Sequence, residues 1–259
     1  MRLLKYILII NIILSASCWA QETPSSKFSI TIPTVAQEAT SIWRTINDIK
    51  FFEKNGYVVN LPKDELIEKL IDKSKKGTFN NNDYSAIYNL LESKVYNKTD
   101  YKLALKNVQL QEQLINNMIV ELHSLQDSCS WNFNMLDNYN VVFTLYGSGG
   151  SYDPQNGTVT LFTTKKGDFK NYKNPANTII HEIVHIAIEE SIVQKFELSH
   201  SLKELTVDTM VKLLFSNLLP EYKVQNMGNF NIDNYLKNTN DIKNLDKTIK
   251  NIKAQNKAV

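Results

Sequence analysis

The chain has 259 residues, 42% of them hydrophobic, and carries a formal net charge of +2. This hydrophobic fraction argues against a disordered chain, and the length is sufficient for one substantial core or for a catalytic domain with a helical attachment. Because basic and acidic residues are mixed throughout, with no dense Lys/Arg stripe, the charge pattern argues against nucleic acid as a partner.

Residues 1–20 form the pattern of a secretory signal. A positively charged start is followed by an apolar run over residues 6–14 and by small residues as far as Ala20. We therefore expect cleavage after Ala20 and an exported protein, either secreted or periplasmic. Two alternatives stay open: a membrane anchor that is retained, or a lipoprotein whose lipobox ends at Cys18. A lipid at Cys18 is the only contact with a membrane that we expect.

Between residues 33 and 128 the spacing of apolar residues predicts helices. They follow a short β-like stretch that Pro33 ends. The stretch covers 28–32, and the helices cover about 35–54, 62–76, 83–96 and 100–128.

Further along the chain, the spacing of apolar residues changes to the pattern of strands, which we place at 141–146 and 158–164. A connector rich in glycine and other turn-forming residues joins them. Asn174 and Pro175 then start a helix, as its cap and its first turn, and a second helix follows at about 201–218.

Together these elements predict a single α+β domain, predominantly helical, over residues 21–259. A helical region at 33–128 precedes a core at 129–220, in which one helix packs on a small antiparallel or mixed sheet. The polar residues at 221–259 predict a peripheral tail.

The motif HEIVH places two histidines, His181 and His185, inside the helix that follows Pro175. Residues at i and i+4 share one helix face, so both imidazoles can bind one metal ion at about 2.1 Å. Glu182 lies where its carboxylate reaches metal-bound water and can take its proton as the water attacks a carbonyl. The pattern predicts one catalytic Zn²⁺, although these ligand types also suit other divalent ions. A chance occurrence of the motif is the competing interpretation.

A catalytic zinc site needs a third protein ligand and an open position. Ile188 and Ser191 occupy the positions where metzincins have Gly and His, which excludes that class. Further on, Glu204 opens a Glu-x-x-x-Asp pattern that ends at Asp208. HExxH followed at this distance by Glu-x-x-x-Asp resembles the gluzincins, the thermolysin type of zinc peptidase, over about residues 146–218.

The resemblance implies a zincin core in which Glu204 is the third ligand and Asp208 orients His181 through a hydrogen bond. Ligand imidazoles usually donate their other N–H to a carboxylate, which fits this role for Asp208. Two alternatives stay open. Residues 201–204 form a capping box that would give Glu204 a backbone partner and no metal. Asp208 is itself a candidate ligand.

Two further parts of a peptidase site are predicted from residue type and position. The oxyanion that forms at the scissile carbonyl needs a hydrogen-bond donor, and each candidate has an ordinary surface or core role as its alternative. These candidates are His200, Tyr222 and Tyr146. One predicted strand resembles the edge strand of zincins, which pairs with an extended substrate. Its residues are Thr158, Val159, Thr160 and Leu161.

The sequence as a whole predicts an exported zinc peptidase that hydrolyses peptide bonds with metal-activated water, acting on a peptide or protein substrate. One alternative is a catalytically silent cell-envelope binding protein or lipoprotein that keeps the zincin fold, which an intact Glu182 argues against. Another is hydrolysis of a non-peptide amide or ester by the same zinc site.

Overall fold

The computed structural model describes residues 27–170, 172–225 and 232–256. The predicted signal, with Ala20 and Cys18, lies outside these ranges. Within them, no helix combines the length and the apolar character that a membrane span needs.

The fold is α+β and predominantly helical, with 57% helix and a four-stranded mixed sheet, which confirms the predicted class. The N-terminal half contains β1 (Phe28–Thr31), α1 (Val35–Asn47), α2 (Ile49–Lys54), α3 (Glu65–Lys76), α4 (Tyr84–Leu90) with a π-helical turn (Leu91–Val95), α5 (Lys102–Gln109) and α6 (Glu112–Gln126). The C-terminal half contains β2 (Tyr139–Thr144), β3 (Ser151–Asp153), β4 (Thr158–Phe162), α7 (Ala176–Ile188) with a π-helical turn (Glu189–Gln194), α8 (His200–Phe215), α9 (Thr239–Lys243) and α10 (Leu245–Asn256).

Local sequence explains how α1 begins but does not reveal a break between α5 and α6. α1 starts with a capping box, in which Thr34 Oγ1 accepts from Gln37 N at 3.2 Å and Gln37 Oε1 accepts from Thr34 N at 2.8 Å. The helix predicted over 100–128 is instead two helices, α5 and α6. Their buried stripe continues across the break, from Val108 to Ile115, so apolar spacing alone predicts one helix.

The sheet has the strand order β1-β2-β4-β3. β1 and β2 are parallel, with Phe28 opposite Tyr139, and β2 and β4 are parallel as well. β3 is antiparallel to β4, with Tyr152 opposite Val159, and it forms one edge of the sheet. The three-residue edge strand β3 therefore lies beside the strand that the sequence predicts as the edge.

The edge-strand prediction is wrong. Its residues, Thr158, Val159, Thr160 and Leu161, belong to β4, which lies between β2 and β3. Thr158, for example, is opposite Asn140 on one side and Asp153 on the other. β4 is therefore not free to pair with a substrate along its first three residues. The sequence does not reveal this because β3 is short and lies within the turn-rich connector.

α7 is the central helix of the fold and contacts α6, α8, β3 and β4. Apart from Thr178, every residue of α7 is buried. Its apolar residues include Ile183 and Val184, both of which are fully buried. Polar side chains in such a helix are costly unless they have partners, so His181 and His185 need a chemical reason for their position.

The C-terminal tail contributes to the core, which corrects the prediction of a peripheral tail. Ile242, Leu245 and Ile249 are completely buried. The indole N–H of Trp131 donates to the carbonyl of Ile242 at 2.8 Å, which ties the tail to the segment after α6. These apolar residues have helical spacing, but the many Asn and Lys residues between them lower the average hydropathy and conceal it. One core thus runs from Phe28 through α10.

Candidate metal centre

His181, His185 and Glu204 converge between α7 and α8. The Nε2 atoms of the two histidines lie 3.0 Å apart. Glu204 Oε2 lies 3.4 Å from His181 Nε2 and 3.3 Å from His185 Nε2. Tetrahedral ligands about 2.1 Å from a zinc ion are separated from one another by about 3.4 Å. The three atoms therefore have the spacing that a single divalent ion requires, and the residues present fit such an ion.

The structure brings together the three predicted metal ligands. No other group of His, Cys, Asp or Glu side chains among the described residues is arranged to hold an ion. The i,i+4 spacing on α7 places His181 and His185 on the face that meets α8, and Glu204 completes the group from α8. His181, His185 and Glu204 are each less than 9% exposed.

The capping-box interpretation of Glu204 is wrong. The N-cap of α8 is Ser199, whose hydroxyl accepts a hydrogen bond from Leu202 N at 3.3 Å. The helix thus begins two residues before the predicted cap, so Glu204 lies beyond the position that a capping box uses. Its carboxylate meets the two histidines instead.

Electrostatics within the cluster favour a cation at its centre. Hydrogen bonds to both histidines hold the pKa of Glu204 well below its usual range, against the opposing effect of burial. Burial lowers the pKa of His181, but hydrogen bonds to Asp208 and Glu204 outweigh it and raise the pKa to about 10. Burial lowers the pKa of His185 to about 4. The buried carboxylate therefore needs one positive charge beside it, which a proton on His181 or a divalent ion can supply.

Asp208 lies where the resemblance implies. Its Oδ1 is 3.1 Å from His181 Nδ1, and the Tyr222 hydroxyl is 2.6 Å from each of these two atoms. The backbone N–H of Gln225 donates to the other Asp208 oxygen at 2.7 Å. In the neutral imidazole that binds a metal, a proton on His181 Nδ1 that is donated to Asp208 leaves the Nε2 lone pair facing His185 and Glu204. Asp208 thus faces the outer nitrogen of His181 and not the ligand cluster.

The three candidate oxyanion donors are not brought together. Tyr222 lies on the Nδ1 side of His181, behind the ring, so its prediction as an oxyanion donor is wrong. Tyr146 is buried in a separate cluster, where burial and Glu38 raise its pKa well above its usual range. His200 lies beside another candidate ligand, with its Nδ1 3.7 Å from Glu204 Oε1 and its Nε2 3.0 Å from the Tyr57 hydroxyl.

Glu182 is buried beside the ligands, with 6% of its surface exposed. Burial raises its pKa to about 7, although the neighbouring His181 opposes the shift. It makes no hydrogen bond with any described residue. A carboxyl group with this pKa can accept and release a proton near neutral pH.

The loop at Gly147–Gly150 lies against Glu182 and is fastened to the N-terminal half. Asn60 N donates to Gly147 O at 2.8 Å, and Gly147 N donates back to Asn60 O at 2.9 Å. A side chain at Gly150 would place its β-carbon 2.5 Å from Glu182 Oε1. Only a residue without a β-carbon allows the backbone to approach the carboxylate this closely.

Gly150→Ala is therefore expected to lower the free energy of unfolding by about 1–3 kcal/mol. The added β-carbon would also lie 2.7 Å from Thr178 Cγ2, so the loop or α7 has to shift. Gly149 is the matched control, since a β-carbon there meets nothing within 4 Å. Denaturant unfolding of both variants measures the difference, and equal stability of the two would show that the close approach carries no cost.

Several residues at the centre carry no signal in the sequence. The ring of Tyr152 stacks on His185, with centroids 4.8 Å apart and planes 6° apart. Lys203 Nζ lies 3.5 Å from Glu204 Oε1, and Gln225 Nε2 lies 3.3 Å from Glu204 Oε2. Lys203 could have been noticed as the neighbour of a predicted ligand. Tyr152 could not, because its position depends on the pairing of β3 with β4.

The chain matches no protein-family model, no curated protein and no solved structure. The likeness to gluzincins is therefore a likeness of short motifs, and no family is assigned. Function has to be argued from the chemistry of the centre itself.

Proposed function

We propose that the chain is a zinc-dependent hydrolase of peptide bonds. The observation that carries the proposal is the convergence of His181 Nε2, His185 Nε2 and Glu204 Oε2, which lie 3.0–3.4 Å from one another. These residues would hold the ion, and Glu182 would act as general base. A bound zinc ion would supply Lewis-acid chemistry, polarising a carbonyl and making water a stronger nucleophile near neutral pH.

The residues around the ligands have separate tasks in this proposal. Glu182 takes a proton at its carboxylate and returns it to the leaving amine. Asp208 holds the proton of His181 on Nδ1, which keeps Nε2 available as a ligand. Gly150 keeps backbone, and no side chain, against the Glu182 carboxylate.

The environment of Glu182 also supports a hydrolase rather than a catalytically silent binding protein. A buried carboxylate that serves only the fold is expected to accept hydrogen bonds, because an unpartnered one is costly. Glu182 is buried and accepts none from the described residues, which suits a group that meets a substrate or water instead. Peptide bonds are preferred to other amides or esters because of the motif resemblance, since the same residues suit all three.

We also propose that the protein is exported, on the evidence of the pattern in residues 1–20 alone. Mass spectrometry of the mature chain from its natural host distinguishes the outcomes. An N-terminus at Gln21 supports a cleaved signal, and a lipid adduct on Cys18 supports the lipoprotein. An intact Met1 overturns cleavage.

The proposed function is tested by zinc content and proteolysis of the full chain. We expect about one zinc per chain and cleavage of an unstructured protein, which a chelator stops and added zinc restores. His181→Ala is expected to lose both properties. His123→Ala is the matched control, because among the described residues His123 has its hydrogen bond to the Leu136 carbonyl and lies outside the cluster.

Two outcomes would contradict the proposal in different ways. A folded chain that takes up no zinc from excess metal would show that the histidine pair is not a metal site. Zinc binding without cleavage of proteins, peptide libraries or ester substrates would support the silent binding protein instead.

A further inference from the structure

We infer that Tyr152 is a positioning residue for His185, and that stacking of its ring takes the place of the hydrogen bond that usually orients a metal-binding histidine. The inference rests on the proposed metal site. It concerns the plane of one imidazole and therefore the affinity of the centre for its ion.

The two histidines differ in how their outer nitrogens are held. His181 Nδ1 has both Asp208 and Tyr222 as partners. His185 Nδ1 is buried and has no hydrogen-bond partner among the described residues. Ligand histidines normally donate this N–H to an acceptor, which fixes the orientation of the ring. His185 therefore needs another contact to hold its plane.

Tyr152 provides a contact of the required geometry. Its ring is stacked on the His185 ring, with an angle of 6° between the two ring planes and 4.8 Å between the centroids. Rotation of the imidazole about its bond to Cβ would drive its edge into the phenol ring. The stack thus keeps His185 Nε2 directed at His181 and Glu204, an orientation that stacked aromatic pairs favour energetically as well.

Tyr152 is itself held from several sides. Its hydroxyl donates to Glu189 Oε2 at 2.6 Å and accepts from Lys203 Nζ at 3.2 Å. The Lys203 ammonium also lies 5.3 Å from the centroid of the ring. β3, the π-helical turn after α7 and α8 therefore all fix the phenol, so the ring is a rigid support for His185.

The experiment measures zinc affinity of the full chain by competition with a chelator. Tyr152→Leu removes the flat ring and is expected to weaken zinc binding by about 10–100-fold. Tyr152→Phe keeps the ring and is expected to stay within about threefold of wild type. Cobalt substitution gives a second readout, because the visible bands of bound Co²⁺ report ligand geometry. We expect altered bands for Tyr152→Leu and wild-type bands for Tyr152→Phe.

The outcomes separate this inference from the proposed function. If the wild type binds no zinc, the metal site itself fails. If the wild type binds zinc and Tyr152→Leu matches it in affinity and cobalt spectrum, only the role of Tyr152 fails. If Tyr152→Phe is as weak as Tyr152→Leu, the hydroxyl contacts and not the stack hold the ring, which also overturns the inference. Should Tyr152→Leu not fold, Tyr152→Met carries the same expectation.

Discussion

Glu182→Gln is expected to slow peptide hydrolysis by about 10²–10⁴-fold while zinc content stays at the wild-type level. The carboxylate is adjacent to the ligands but is not one of the three atoms that converge. Glutamine has nearly the same shape and cannot accept the proton, so the change removes the base and leaves the site intact. Steady-state hydrolysis of a peptide, measured with zinc content on the same sample, gives the comparison.

Glu190→Gln is the matched control for this substitution. Glu190 lies just after the same helix, has the same side chain and is exposed to solvent. We expect it to change activity by less than about threefold, since exposed substitutions away from the site have small effects. Wild-type activity in Glu182→Gln would show that Glu182 is not the base. Loss of zinc in that variant would show that Glu182 has a structural role.

Glu38→Leu is expected to destabilise the fold by about 3–6 kcal/mol, which is a large part of the stability of a typical domain. Glu38 is completely buried on α1. Its carboxylate accepts hydrogen bonds from the hydroxyls of Tyr101 and Thr144 and from Leu145 N. Leucine would leave the buried Tyr101 hydroxyl and Leu145 N–H without this acceptor, and Thr144 would keep only the Tyr146 carbonyl, 3.1 Å away. Denaturant unfolding measures the loss.

Glu38→Gln is the control that keeps the hydrogen bonds. Its amide oxygen can accept from Tyr101 and Leu145, and its NH₂ group can donate to Thr144. The Thr144 hydroxyl is then free to donate to the Tyr146 carbonyl, 3.1 Å away. We therefore expect Glu38→Gln to fold with wild-type or higher stability at neutral pH. A loss as large as that of Glu38→Leu would show that the negative charge itself is required.

The wild type and Glu38→Gln are expected to differ in how their free energy of unfolding depends on pH. Burial raises the pKa of Glu38 above its usual 4.5, although its three hydrogen bonds oppose the shift. The folded chain then binds this proton more tightly than the unfolded chain. The stabilisation that this tighter proton binding provides is complete below pH 4.5, and it is lost as the pH rises through the pKa of Glu38 in the folded chain. Glu38→Gln lacks that loss, so its stability relative to wild type is expected to increase from about pH 4 upward. Parallel curves would contradict this.

The residues of the candidate metal centre could be predicted because much of the signal for them is local in the sequence. His181 and His185 are separated by one helical turn, and the apolar residues around them indicate a buried helix. The sequence allows two interpretations of Glu204, because Ser201, three residues before it, also fits an N-cap. In the structure the N-cap of α8 is Ser199, and nothing in the local sequence favours Ser199 over Ser201 as the cap.

What could not be predicted depends on contacts between distant segments. The position of β4 between β2 and β3 follows from pairing, and a strand of three residues such as β3 leaves little periodic signal. The stack of Tyr152 on His185 depends in turn on that pairing. The polar composition of the tail predicts a peripheral segment, whereas the burial of Ile242 and Ile249 depends only on where these few apolar residues lie.

The parallel pairing of β1 with β2 also constrains how the chain folds. Phe28 lies opposite Tyr139, so the whole helical region from α1 to α6 forms the connection between two adjacent strands. Closing so long a loop is entropically expensive until the contacts that reward it are in place. Helices are built from local contacts, whereas this sheet requires β1 to pair with β2, which is far along the chain. Because α7 packs on β3 and β4, we expect His181 and His185 to reach their final positions only after these distant segments have paired.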